Sequence, residues 1–258
     1  MEVSNRISSI DTIRPDGRVG GSKLRPLSAE MSCTALSDGS AKFCSGSTSV
    51  LVAVYGPVAP RVTHRELSNR ALISVVWKHS TTGGTLYGST ERELERFVAD
   101  ALTCCVNTQN YPRTVIQVVV QVLTADGAVL STAINAATLA LLDAGMIPMN
   151  SLPIASTVLL RKSKESNLED KNTRMVDINN CDQLYLDPVK EEEAYPDSSA
   201  IVLVTVSSED TKSTKIVASM TFGQIASLKT CFSCFEFASK NTQSSLAFIR
   251  MAVAQKVK

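Results

Sequence analysis

The chain has 258 residues, with 26 Lys and Arg against 25 Asp and Glu, a formal charge of +1. That balance excludes a histone-like basic chain and an acidic tail protein, and 44% hydrophobic with 20% charged residues suits a globular protein with its own core. Two histidines leave little material for histidine-based metal or acid–base chemistry. The seven cysteines are an odd number in a large chain with no apolar leader in its first ten residues, so free thiols in a cytosolic or nuclear compartment are expected. No run reaches the roughly 18 apolar residues of a membrane span, so no membrane is expected as a partner.

Residues 1–22 are polar and turn-rich and read as an N-terminal arm, with one domain over 23–258. A strand-like pattern begins at Leu24, and Asp38-Gly39 predicts a hairpin turn. Ala41–Cys44 and Ser49–Tyr55 read as strands, the second ended by Gly56-Pro57. A polar loop, Val58 to Arg70, carries Arg61, Arg65 and Arg70 and precedes a strand at Ala71–Trp77.

Ser80 to Gly88 reads as a loop, after which Ser89 or Thr90 can cap a helix. Leu94, Phe97, Val98, Ala101, Leu102 and Cys105 give that helix one apolar face. Arg113–Leu123 is a β-branched strand and Asp126-Gly127 a turn. Thr132–Ala144 is apolar nearly all round and predicts a buried helix ended by Gly145. Pro153–Leu160 is a strand, and Arg161 to Cys181 a charged surface insertion or long hairpin tip. Gln183–Asp187, Ser199–Val206 and Lys215–Met220 read as strands, and Ser207–Ser213 as a polar turn. From Gln224 the pattern is helical, with Ile225, Leu228, Phe232 and Phe235 on one face. The order predicts an α+β fold with mixed β-sheets packed by α-helices.

Few residues stand out as chemistry by themselves. Cys231-x-x-Cys234 has half the spacing of a zinc site but no second pair, and reads as helix cysteines; no metal site is assigned. His64 and His79 have no evident partner and read as surface residues. Gly83-Gly84 lacks the Lys-Ser/Thr of a P-loop and reads as a flexible loop. Asp187, Glu191 and Asp197 admit two readings: a strand-ending turn with a solvated acidic face, or a displaced acid or Mg²⁺ site.

Several segments taken together resemble the ribonuclease PH family. Arg14-Pro15-Asp16-Gly17-Arg18 is similar to its Arg-Pro-Asp-Gly-Arg opening. Asp38-Gly39-Ser40-Ala41 and the run from Gly46 to Pro57 resemble its Gly-Ser-Ala and Gly-Asp-Thr-x-Val-Leu strands. Tyr111-Pro112-Arg113-Thr114, Asp126-Gly127 and Ala133-Ile134-Asn135-Ala136-Ala137 resemble its second half. The likeness is strongest over 23–160 and weak after 161. It implies a ribonuclease PH fold, assembled in six-membered rings around an RNA channel, and descent from a phosphorolytic 3′-to-5′ exoribonuclease.

Phosphorolysis must hold inorganic phosphate beside a phosphodiester, which calls for arginine forks, backbone N–H groups and an acid. The resemblance places an arginine at Leu130, another at Asp100 and an acidic residue at Ser199 or Ala200. All three differ here, so no catalytic residue and no cofactor is assigned. The expected role is a largely non-catalytic ring subunit of the RNA exosome, serving assembly and RNA threading in the nucleus, nucleolus and cytoplasm. Its implied partners are other ribonuclease PH-like ring subunits, cap subunits and single-stranded RNA, with a homodimer as an option in isolation. The alternative is an active phosphorolytic exoribonuclease. Candidate RNA contacts are Arg61, Arg65, Arg70, Arg92, Arg96 and Arg113, although Arg92 and Arg96 also interleave with Glu91, Glu93 and Glu95.

Overall fold

A computed structural model describes residues 14–60, 66–79, 88–161, 183–196, 198–207, 214–225 and 228–257. The first half builds a five-stranded sheet from β1 (Leu27–Met31), β2 (Gly39–Ser45), β3 (Thr48–Val58), β4 (Leu72–Lys78) and β5 (Val115–Thr124), ordered β1-β2-β3-β5-β4. All its pairs are antiparallel except β4 with β5, which helix α1 (Ser89–Cys105) connects. The second half builds an antiparallel sheet, β7-β6-β8-β9, from β6 (Pro153–Arg161), β7 (Gln183–Leu186), β8 (Ser198–Ser207) and β9 (Thr214–Phe222).

Between the two sheets runs α2 (Val129–Ala144), in which every residue from Leu130 to Leu141 is buried. Its sequence explains this position. Ala133, Ala136, Ala137 and Ala140 are small enough to let a backbone approach closely from either side. Against β2 the approach is so close that a Cβ on Gly39 would lie 2.4 Å from the Ala140 carbonyl oxygen. Toward the other sheet, the Asn135 amide donates to the Ala155 carbonyl and accepts from the Ala155 N–H, at 3.0 and 2.9 Å. A polar residue in the middle of an apolar helix is thereby satisfied by one residue of β6. Gly145 ends α2 in the left-handed conformation, as its place in the sequence predicts.

Four expectations change. Asp38-Gly39 is not a two-residue hairpin turn: the β1–β2 loop spans 32–38, and Gly39 opens β2 where α2 leaves no room for a side chain. Gly56-Pro57 does not end its strand, since β3 continues through a register shift to Val58. The cap of α1 is Gly88, whose N–H donates to the Glu91 carboxylate at 2.9 Å, in place of Ser89 or Thr90. The long C-terminal helix α4 (Leu228–Val257) buries Cys234, Ala238, Thr242, Leu246 and Ile249, whereas Leu228 and Phe232 are 78% and 66% exposed.

Helix α4 ties the two halves together. Phe248 meets Phe43 of β2 edge-on at 5.9 Å, and the Thr242 hydroxyl lies 2.7 Å from that of Thr205 on β8. Lys256 reaches the Asp143 carboxylate at the end of α2, which also accepts from the Ser32 hydroxyl and the Ser40 N–H. Among the described residues no helix is long and apolar enough to cross a membrane, and all six cysteines are free thiols.

Candidate active-site cavity

The Asp126-Gly127 turn delivers the chain into α2, and a cavity of about 450 Å³ opens beside that helix's N-terminus. Its walls come from β4, β6, β8 and β9, from α1, from the first turn of α2 and from Glu193. Trp77, Leu94, Val129, Leu130, Leu159 and Val202 make much of its apolar lining. Leu130, standing where the resemblance places an arginine, is buried in this wall. Among the described residues, no Arg or Lys lines the cavity.

Several polar groups at the head of α2 are bonded to one another. Ala128, in the left-handed conformation before α2, donates its N–H to Glu193 Oε1 at 2.9 Å. A carboxylate thus faces the helix N-terminus, where an anion is favoured. Glu193 is exposed as a whole residue, yet partial burial of its carboxyl raises it from its ordinary value, against the pull of the Ala128 N–H. The Thr157 hydroxyl donates to Ser131 Oγ, and the Ser131 and Thr132 hydroxyls both donate to the Ala128 carbonyl. The Trp77 indole donates to His79 Nε2 at 3.2 Å.

Two buried arginines hold this turn and α3 (Lys190–Glu193), the single helical turn that carries Glu193. Arg25 makes a fork with both Asp187 oxygens, at 3.0 and 2.6 Å, and donates to the Asp126 and Gly127 carbonyls. The Ser45 hydroxyl gives Asp187 a further bond at 2.7 Å. Arg14 makes a second fork with Glu192, at 2.8 and 2.6 Å, and donates to the Leu186 carbonyl at 2.8 Å. Burial alone would raise the Asp187 carboxyl; the Arg25 guanidinium and the Ser45 hydroxyl hold it below its ordinary value instead.

Of the two readings of the acidic residues, the strand-ending one fits the position of Asp187, which follows β7 as a bend. Its carboxylate is buried and is no free acid or Mg²⁺ ligand, because both oxygens of Asp187 are bonded to Arg25. It lies outside β7, with φ of 49°, which ends the expected strand one residue early. Glu191 is exposed, and Asp197 lies outside the described residues. Among the described residues no group of three or more His, Cys, Asp or Glu is placed to hold a metal ion. Asp100 does not face the cavity: its side chain is 73% exposed and lies 3.8 Å from Arg96 on the outer face of α1.

The candidate RNA-binding arginines fall in separate places. Arg61 and Arg65 lie outside the described residues, as do His64 and Gly83-Gly84. Arg70 is exposed just before β4, and Arg113 just before β5, 3.4 Å from Glu66. These two sit at neighbouring strand starts, because Leu72 pairs with Val115. Arg92 and Arg96 lie at the other end of β4, where Glu95 accepts the Trp77 N–H. The seven residues of β4 separate the groups by about 20 Å at 3.3 Å per residue.

Sequence reasoning missed the pairs Arg14–Glu192 and Arg25–Asp187 and the place of Glu193. The signal was weak: two arginines in a polar opening and an acidic run far along the chain, with nothing local to join them.

Comparison with known proteins agrees with this architecture. Residues 23–147 match the model of the 3′ exoribonuclease family, domain 1. The exosome complex exonuclease RRP46 homolog of Arabidopsis thaliana is 33% identical over 250 residues, covering 92% of this chain and 94% of that protein. The exosome complex component RRP41 of Homo sapiens is 38% identical over 155 residues, covering 55% of this chain and 60% of that protein. The crystal structure of rice Rrp46 superposes with a TM-score of 0.75 at 30% identity, covering 93% of this chain and all of that one. With the fold and these relatives in agreement, the chain belongs to the 3′ exoribonuclease, or ribonuclease PH, family.

Proposed function

We propose that this chain is a largely non-catalytic ring subunit of the RNA exosome, supporting assembly and RNA threading in 3′-to-5′ RNA processing and decay. Its partners in this reading are other ribonuclease PH-like ring subunits, cap subunits and single-stranded RNA, in the nucleus, nucleolus and cytoplasm. The similarity to RRP46 and RRP41, both named as exosome proteins, supports membership of the ring. What carries the non-catalytic part is the chemistry at the head of α2. The Glu193 carboxylate takes the Ala128 N–H, and Leu130 stands in the place of an arginine. A fixed negative charge repels phosphate, and loss of one donor to a developing charge costs about 10²–10³ in rate.

The test is an RNA degradation assay on the purified chain and on the ring containing it, with and without inorganic phosphate. Single-stranded RNA should stay intact with the chain alone, and phosphate should release no nucleoside diphosphates. Phosphate-stimulated 3′ trimming that persists through rigorous purification would restore the enzyme reading.

RNA contact is proposed for Arg61, Arg65, Arg70, Arg92, Arg96 and Arg113. Replacing Arg61 and Arg65 together by Ala should lower the slope of log K against log salt by about 1.4, at roughly 0.7 per phosphate contact on a single strand. The loss should be similar for different RNA sequences, because phosphate contacts carry no base information. Replacing Arg92 and Arg96 tests the other end of β4 independently. If both double variants keep the slope while the ring assembles normally, these arginines are not on the RNA path.

A further inference from the structure

The cavity at the head of α2 has the size of a ligand site, and its surroundings favour the opposite charge from phosphate. Its volume of about 450 Å³ lies within the range of small-molecule pockets. The fixed charge facing it is one carboxylate, Glu193, set against roughly half a positive charge from the helix dipole. Of the hydroxyls that line it, that of Thr157 donates to Ser131 Oγ and that of Ser198 to the Tyr195 carbonyl. The remaining wall is mainly aliphatic or aromatic, including Trp77, Leu94, Leu130 and Phe222, with Thr90 beside them.

We propose that this cavity binds a compact apolar or aromatic group ending in an ammonium or amidinium, with Glu193 as its counter-charge. The apolar body of such a group covers the wall formed by Leu94, Leu130 and Val202. Its cationic tip supplies donors to a carboxylate whose one described hydrogen bond comes from Ala128. Trp77 and Phe222 favour the same charge, because aromatic faces attract cations. A phosphate or carboxylate ligand finds a like charge instead. The inference shares its view of Glu193 with the non-catalytic reading but does not depend on ring membership.

The probe is benzamidinium, followed by fluorescence and by calorimetry on the full chain. Trp77 is the chain's single tryptophan and lines the cavity, so its emission reports on this site alone. Benzamidinium should bind saturably, and benzoate and inorganic phosphate should neither bind nor compete. Glu193→Gln should weaken benzamidinium binding roughly tenfold or more, the effect of losing one charge-assisted hydrogen bond. Leu130→Trp, which fills the cavity and leaves Glu193 in place, should abolish calorimetric binding and covers the case in which the Glu193 variant fails to fold. The proposal is overturned if benzamidinium gives no saturable signal, if benzoate or phosphate binds as tightly, or if a folded variant of either kind binds as the parent does. RNA degradation is not measured here, so a failed titration leaves the test of the ring reading standing.

Discussion

Replacing Asp187 by Asn should destabilise the protein by about 3–5 kcal/mol, because it leaves the Arg25 guanidinium buried without its main counter-charge. Asn tolerates the left-handed backbone at this position, with φ of 49°, so the loss isolates the charge from backbone strain. Asp126 is a poor substitute partner, its carboxylate lying 3.9 Å from Arg25 and partly exposed. In a chain of this size the loss should lower Tm by roughly 6–20 °C. Urea unfolding measures it directly, and a cost below about 1 kcal/mol would mean that the pair is hydrated in solution.

The same residue sets an acid limit. Its carboxyl is held below the ordinary value in the folded state, so its contribution to stability is present above the unfolded value of about 3.9. That contribution is lost as pH falls through the lower folded value. The Asn variant should therefore show a shallower acid limb than the parent. Glu193 has the opposite sign: burial raises its folded pKa, so its contribution is present below about pH 4.3 and lost as pH rises through the folded value.

Arg14→Met should cost a similar amount, about 3–5 kcal/mol, since Glu192 then keeps its charge in a buried setting. Converting the pair together, with Arg14→Met and Glu192→Leu, should recover part of the loss. The recovery should be incomplete. Arg14 also donates to the Leu186 carbonyl, and the Glu192 carboxylate accepts the Val189 N–H at 3.0 Å; each group left bare costs about 1–3 kcal/mol. A double-mutant cycle by urea unfolding gives the coupling energy, and additive losses would show that the two side chains do not meet.

What could be read from the sequence was what a local pattern encodes. Helix α2 and strand β3 follow from apolar runs whose period matches their own geometry, and Gly145 marks the end of α2 by the conformation it adopts. The resemblance to the ribonuclease PH family located the departure at Leu130, which the structure places in the cavity wall. Features set by distant partners were not readable. Gly39 looks like a turn residue until α2 is seen lying against it. On α4, Phe232 and Leu228 satisfy a helical period yet face outward, because the sheets meet the stripe of Cys234, Ala238 and Thr242. Asp100 showed the same limit: its sequence position suggested a cavity residue, but the rotation of α1 directs it to solvent. Arg25 and Asp187 are 162 residues apart, and no local rule joins them.

The Arg14–Glu192 pair joins residues 178 positions apart, and this orders events during synthesis. A ribosome adding about 5–20 residues per second takes roughly 10–35 s to make the chain between them. Throughout that interval the guanidinium of Arg14 stays hydrated, since the carboxylate that will hold it does not yet exist. The five-stranded sheet and α2 emerge and can pair in the meantime, so the Arg14 segment is made before that sheet but fastened only after Glu192 has followed. A chaperone, protease or modifying enzyme working at the ribosome therefore meets an accessible Arg14, whereas in the finished fold that side chain is sealed against Glu192 and Leu186.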